Sequence, residues 1–442
     1  MSYTVTKKTG WFERMGNSFG GIVVGIVLFG IGTIVLWWNE GNFVKTKKAL
    51  NEAQGVVVEL DDIGKVDSAN NGQLVHATGL AKTDDFLEDP VFGISTNAIR
   101  LERSVEFYQW VESSKTETKQ KLGGGEEKVT TYTYKKDWVT SPVDSSRFNV
   151  SNAREENKNT VIANIKKFSV QATNVTFGAY RLPDFLISSI SGPEPYAIDL
   201  SAEKIAKLNQ QIAPTNAPKQ PPALLPTDST TPEVSSFDTF DAIDTGVAGQ
   251  TTEQAVAPAV TSTSQTVNQM VHVSGNTIYL GYTPAQPAIG DVRATFKQTK
   301  PENEVSLIAK LNNDTFEKFV AKNGRTVSML SVGTHSAENM FESAHASNAM
   351  LTWILRAVGV FLICISLRMM VAPLDVLASV IPFLGKLVGV GTGLFSLLFG
   401  MAWSLMIIAL AWLFYRPLIG ILILAAAVGL IVLLYSKRRV AT

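Results

Sequence analysis

Twenty consecutive uncharged residues from Phe19 to Trp38 constrain this chain more than any other feature. At the helical rise they reach about 30 Å, the thickness of a bilayer's hydrocarbon layer. Three more apolar runs near the other end predict spans at 349–371, 387–414 and 417–435. A cleaved signal peptide is the rival reading of the first run, yet the run exceeds a typical signal core and Trp37-Trp38-Asn39-Glu40 offers no small-residue cleavage pattern. The expected fold is a multi-pass α-helical membrane protein of four spans, with a large β-rich α+β extracytoplasmic domain between spans 1 and 2.

The first helix is expected at 19–38, after a cytoplasmic N-terminal segment at 1–18. Residues 39–211 read as a first β-rich lobe, 212–265 as a disordered Pro/Thr/Ala linker, and 266–348 as a second lobe with a juxtamembrane helix. The apolar, proline-broken stretch 372–386 suits an interfacial or re-entrant segment, or equally an ordinary connecting loop, and 436–442 a basic cytoplasmic tail. Lys7, Lys8, Arg14, Arg368, Lys386, Lys437, Arg438 and Arg439 fall on one side of this arrangement, which predicts that side as cytoplasmic. Lys45, Lys47 and Lys48 oppose the bias, while Trp37, Trp38, Trp353, Trp412 and Tyr415 would form a belt at the outer interface. Gly21 with Gly25, and Gly385, Gly389 and Gly393, have the spacing of close helix contacts.

Lys+Arg and Asp+Glu both number 39, and without a basic tract in the middle the electrostatic footprint of a nucleic-acid binder is missing. The single cysteine, Cys364, excludes an intrachain disulfide and a thiolate metal cage.

In the water-facing part, Ile99, Leu101, Val105, Phe107 and Val111 alternate with Arg100, Glu102, Glu106 and Glu112, which predicts a half-buried strand. Val129 to Trp138 follows a Gly123–Gly125 tract and is expected to return as the second arm of a long hairpin. Strands are also expected over 161–170 and 173–180 and within 270–332, with a polar helix from Ser201 to Gln211.

Arg103 breaks the apolar face of its strand and needs a carboxylate or carbonyl partner. Parity puts Glu106, Tyr108 and Trp110 on the other face, as a second core or a docking surface. Arg356 stands about two turns inside the second span, where it wants Glu338, Glu342 or a lipid headgroup, or else snorkels beside Trp353. Arg416 lies in the turn before Pro417, which can start the fourth helix. His335, Glu338, Glu342 and His345 recur at helical spacing, but a solvated polar face is the expectation rather than a metal site. Gly16-Asn-Ser18-Phe-Gly20 matches G-x-S-x-G without the strand that a nucleophile elbow needs, so helix packing is expected there.

Several segments in order resemble the LUMA family, the transmembrane protein 43 group of multi-span endomembrane proteins with relatives in bacteria. They are Trp38-Asn39-Glu40-Gly41, Arg103-Ser-Val-Glu-Phe-Tyr-Gln-Trp110, Tyr132-Thr-Tyr134 with Trp138, Gly290-Asp291-Val292-Arg293, and Trp412-Leu-Phe-Tyr-Arg-Pro417. The resemblance implies four spans, a luminal or periplasmic domain, and a scaffold or organiser role linked to membrane proteins and lipid homeostasis. It brings no catalytic residue set and no cofactor, and the long Thr/Pro/Ala linker departs from the animal members.

The expected function is a non-enzymatic membrane scaffold that docks partners or lipids near the membrane surface. The alternative is an interfacial enzyme or lipid transporter using Arg356, Glu342 and His345. An oligomeric channel is the third possibility and ranks last, because the spans carry few polar residues to line a wet pore. Expected partners are the lipid bilayer and membrane proteins, with a homo-oligomer left open. The expected location is the cell inner membrane in a bacterium, or the endoplasmic reticulum or inner nuclear membrane in a eukaryote.

Overall fold

The computed structural model describes residues 1–158, 165–212 and 270–416. The linker beyond Ile212, Pro417, the fourth span at 417–435 and the tail at 436–442 lie outside the described residues, as do 159–164 of the strand expected over 161–170. Among the described residues, three helices are long and apolar enough to cross a membrane: α1 (Trp11–Gln54), α2 (Ala337–Ala378) and α3 (Pro382–Tyr415).

α1 and α2, at 44 and 42 residues, run well past the expected spans at 19–38 and 349–371. Their polar ends stay helical because they are seated on the domain. Ala49, Leu50 and Ala53 of α1 and Met340 and Phe341 of α2 pack with Leu74 and Ile308. The Ser336 side chain caps α2 by accepting from the Asn339 amide.

Within 372–386, α2 continues through Pro373 to Ala378 and α3 starts at Pro382, which leaves a short connection at 379–381. Contacts on both sides of the proline ring hold the helix together. Arg368 pairs with Asp375 at 2.9 Å, and Trp11 Nε1 donates to the Val376 carbonyl at 3.0 Å.

Glycines set the approach of α1 and α2. A Cβ on Gly25 would stand 2.8 Å from the Ser366 carbonyl oxygen and one on Gly32 2.9 Å from Ile363. Gly25→Val should therefore push the helices apart and cost about 1–3 kcal/mol, read as a lower melting temperature of the detergent-solubilised protein. An unchanged melting temperature would refute this contact. Gly389 and Gly393 make room for a side chain rather than a backbone, since a Cβ added at either would stand 3.8 Å from the Arg368 guanidinium.

The domain is built on two sheets. The eight-stranded sheet has the path β1 (Ser2–Thr9), β4 (Glu126–Val139), β3 (Arg100–Gln120), β7 (Val292–Thr299), β6 (Thr277–Leu280), β5 (Val271–Ser274). In the seven-stranded sheet, β2 (Leu74–Thr83) and β9 (Met329–Val332) flank β8 (Glu302–Asn312). The two expected lobes, residues 39–211 and 266–348, share both sheets, because β7 pairs with β3 and β8 with β2. Leu101, Val105, Phe107, Phe296, Val305 and Leu307 belong to their common core. The hairpin of β3 and β4 forms as expected, and a helix spans Ala202–Ile212.

Residues 2–9, expected within a cytoplasmic segment, form a strand on that hairpin. Ser2 pairs opposite Thr133 and Thr9 opposite Glu126, while the Met1 ammonium donates to the Tyr134 carbonyl at 3.2 Å. Tyr3 and Val5 alternating with Thr4 and Thr6 supply the period of a strand.

Candidate functional site

The polar sequence Asn39-Glu40-Gly41 follows the apolar run of α1, at the depth where Trp353 of α2 and Trp412 of α3 gather. Glu40 is fully buried. Arg356 of α2 grips it through both arms of the guanidinium, Nε to Oε1 at 2.6 Å and Nη2 to Oε2 at 2.8 Å, and Trp412 Nε1 donates to Oε2 at 2.8 Å. One carboxylate thus ties three helices through charge-assisted bonds.

Arg356 also lies over the Trp353 ring at 4.7 Å, and Arg416 lies over Phe43 at 4.9 Å and Trp412 at 5.2 Å. Asn39 Nδ2 donates to the Thr352 carbonyl and Asn348 Nδ2 to that of Phe43, so backbone groups join the contact. A Cβ on Gly41 would fall 2.5 Å from the Tyr415 ring, and no larger residue fits there as the helices stand.

Glu40, Arg356, Trp412 and Arg416 are therefore one cluster, while Pro417 lies outside the described residues. The partners expected for Arg356 are corrected. Glu338 and Glu342 stand at least about 21 Å away along the same helix, whereas Glu40 faces it across the α1–α2 contact. His345, about 16 Å along the helix from Arg356, does not converge on it either. Asn348 and Thr352 are not singled out in the sequence, although polar residues flanking apolar runs are the available signal.

Within the domain, Arg103 has the partners its position demands: Asp89, with both residues buried, and the Lys166 carbonyl at 3.0 Å from Nη2. Glu106 pairs across the sheet with Arg293 at 2.6 Å, whose guanidinium covers Trp138 at 4.3 Å, and Tyr108 packs on the same indole. Of the two alternatives for this face, Trp110 takes the second core: it is buried with Tyr134 and Phe148 and donates to Glu156 at 2.8 Å.

Asp291 is fully buried. Its Oδ2 accepts from the Tyr279 hydroxyl and the Ala288 amide, while Oδ1 has no hydrogen-bond partner among the described residues. Burial pushes the Asp291 carboxyl above the usual carboxylate range, and burial beside Asp291 raises the Tyr279 hydroxyl. A carboxyl raised on folding makes the ionised form a liability. Its penalty is full above the folded pKa and fades as pH falls through that value toward the unfolded one, about 3.9. Asp291→Asn should therefore flatten the rise in stability on mild acidification, measured as melting temperature against pH. A variant whose profile overlays the wild type would exclude Asp291 as its source.

His335 precedes α2 and sets its Nε2 3.1 Å from the Val332 carbonyl, so it does not share a helix face with Glu338, Glu342 and His345. Among the described residues, no three His, Cys, Asp or Glu side chains are grouped to hold a metal ion. Ser18 lies inside α1 and donates to the Met15 carbonyl at 2.7 Å.

Comparison with known proteins fits this chain along nearly its whole length. The family profile described as Transmembrane protein 43 matches residues 107–417. The rat protein named Transmembrane protein 43 is 28% identical, covering 99% of this chain and 95% of the relative, and the human one is 27% identical over 98% and 94%. The Drosophila melanogaster homolog is 25% identical over 91% of this chain and 90% of its own length. No solved structure matches. With a profile spanning most of the chain and relatives matched from end to end, the chain belongs to the transmembrane protein 43 family.

Proposed function

We propose that this chain is a non-enzymatic integral membrane scaffold of four spans, with its β-rich domain on the extracytoplasmic face, where it docks membrane proteins or lipids close to the surface. The observation that carries this reading is the Glu40 cluster: its charges are consumed in holding helices together, directly beneath the seat of the domain. Such a joint fixes the height and tilt of a docking surface above the bilayer. A cleft of about 400 Å³ opens at the same level, lined by Asn42, Leu50, Arg325, Met329, Asn348 and Leu351, mixed enough to take a headgroup or a partner's side chain. The basic residues at the opposite end of the helices support a cytoplasmic location for that end. A bacterial inner membrane, or the endoplasmic reticulum or inner nuclear membrane, suits this arrangement, and a link to membrane or lipid homeostasis follows the same reading.

Crosslinking in native membranes tests it. Wild type should give reproducible membrane-protein or lipid neighbours, which are lost when Ser328→Trp fills the cleft and kept in Glu342→Gln/His345→Gln. Stoichiometric metal that disappears in Glu342→Ala would sink the scaffold reading in favour of an interfacial enzyme.

A further inference from the structure

The hairpin of β3 and β4 is far longer than a domain core requires, and its far half lies alongside the membrane helices. β3 has 21 residues and α1 has 44, so strand and helix reach about 70 and 66 Å respectively. These equal arms are fastened at both ends. At the domain end α1 packs beside β2 and β8. At the other end Arg14 pairs with Glu126 at 3.2 Å, and the Gly123 amide donates to the Val380 carbonyl at 3.1 Å.

Between those ends β1, β4 and β3 form a three-stranded ribbon. Its eight β1–β4 pairs extend about 27 Å, close to the thickness of the hydrocarbon layer. Lys7 and Lys128 of the ribbon share a cleft with Gly21 and Met369, inside the apolar runs of α1 and α2.

Hydrocarbon cannot solvate such a ribbon. The register puts Thr4, Thr6, Thr131, Lys115, Glu117 and Lys119 on one face, opposite to the face through which Glu126 meets Arg14. Both edges are also open among the described residues: β1 pairs only with β4, and on its other side β3 pairs with β7 and the short strand Phe168–Gln171 only as far as Phe107. Open strand edges at membrane depth must close on other strands, and charged faces at that depth must meet water.

We propose that further copies of this chain close the ribbons into a ring, β3 of one copy pairing with β1 of the next, around a water-filled lumen lined by the Thr4–Lys115–Glu117–Thr131 face. β1 and β3 run in the same direction, so each copy offers one edge and receives the other, a head-to-tail contact that closes by rotation. The ribbon supplies the polar lining that the spans lack.

The test uses the full-length protein in sealed proteoliposomes, in a Cys364→Ser background, with a charged, membrane-impermeant thiosulfonate on both sides. Thr131→Cys should be modified as readily as a cysteine on the domain surface, and Val27→Cys on the apolar face of α1 should stay unmodified. Oxidation of Thr4→Cys combined in turn with Ser113→Cys, Lys115→Cys, Glu117→Cys or Lys119→Cys should give covalent dimers and higher species for at least one pair. Within one copy Thr4 and Lys115 are two strands apart, about 9.6 Å, too far for a disulfide. Protection of Thr131→Cys would show that no water reaches the face. Labelling without any intercopy bond would show that the ribbon is hydrated without a second copy. Either result overturns the proposal, provided that each variant keeps the wild-type melting temperature.

Discussion

Glu40→Ala should cost the folded protein about 3–5 kcal/mol, because it strands the Arg356 guanidinium in a three-helix contact against the Trp353 and Trp412 rings. Arg356→Ala should cost a similar amount by leaving a fully buried carboxylate with the Trp412 indole as its remaining partner. The asymmetry of buried ion pairs supplies the control. Glu40→Met/Arg356→Met removes both charges and should recover most of the loss, since apolar replacement of a whole pair is often neutral or better. Thermal unfolding in detergent reads all three variants, and single variants that melt like the wild type would sink the joint as a stabilising element. The double variant then separates stability from geometry. If the pair sets the tilt of the domain, the crosslinking pattern in native membranes should change even where melting is restored.

The pairing of Glu40 with Arg356 shows where sequence reasoning stops. Each residue was conspicuous alone, one in a polar step after an apolar run and the other a charge inside one. They stand 316 positions apart, and nothing local encodes which helix faces which. The nearest carboxylates in sequence, Glu338 and Glu342, were therefore the wrong partners for Arg356. The helices themselves were legible because membrane spans need long uncharged runs, but α1 and α2 were read short, because their ends are amphipathic seats for a sheet rather than spans.

The long hairpin was legible from alternation and the Gly123–Gly125 tract, and Arg103 from its break in an apolar face. That the two lobes belong to one β-rich domain is legible, but which strands join them is not, because β3 with β7 and β2 with β8 are pairings between distant segments. The strand at Ser2–Thr9 was missed although Tyr3 and Val5 alternate with threonines, since the basic pair Lys7-Lys8 drew the segment to the cytoplasmic side.

Arg103→Met should be as damaging to the domain as Glu40→Ala is to the helices, again about 3–5 kcal/mol, because it leaves the fully buried Asp89 without its cation. Asp89 also accepts from the Val91 and Phe92 amides, so it shapes the turn as well as neutralising Arg103. Asp89→Asn keeps an oxygen for those amides and leaves Arg103 with the Lys166 carbonyl and the Phe92 and Phe168 rings, so it should cost less than Arg103→Met. Arg103→Lys should not rescue, because an ammonium cannot reproduce the guanidinium's fork toward Asp89 and Lys166 at once. Chemical denaturation followed by tryptophan fluorescence orders the three, and Asp89→Asn falling below Arg103→Met would show that the turn, not the ion pair, dominates. The location gives the loss a second consequence: Arg103 roots the same strand whose far half forms the ribbon. Loosening that root should therefore abolish intercopy disulfides from Thr4→Cys, whereas Glu40→Met/Arg356→Met, acting at the helices, should spare them.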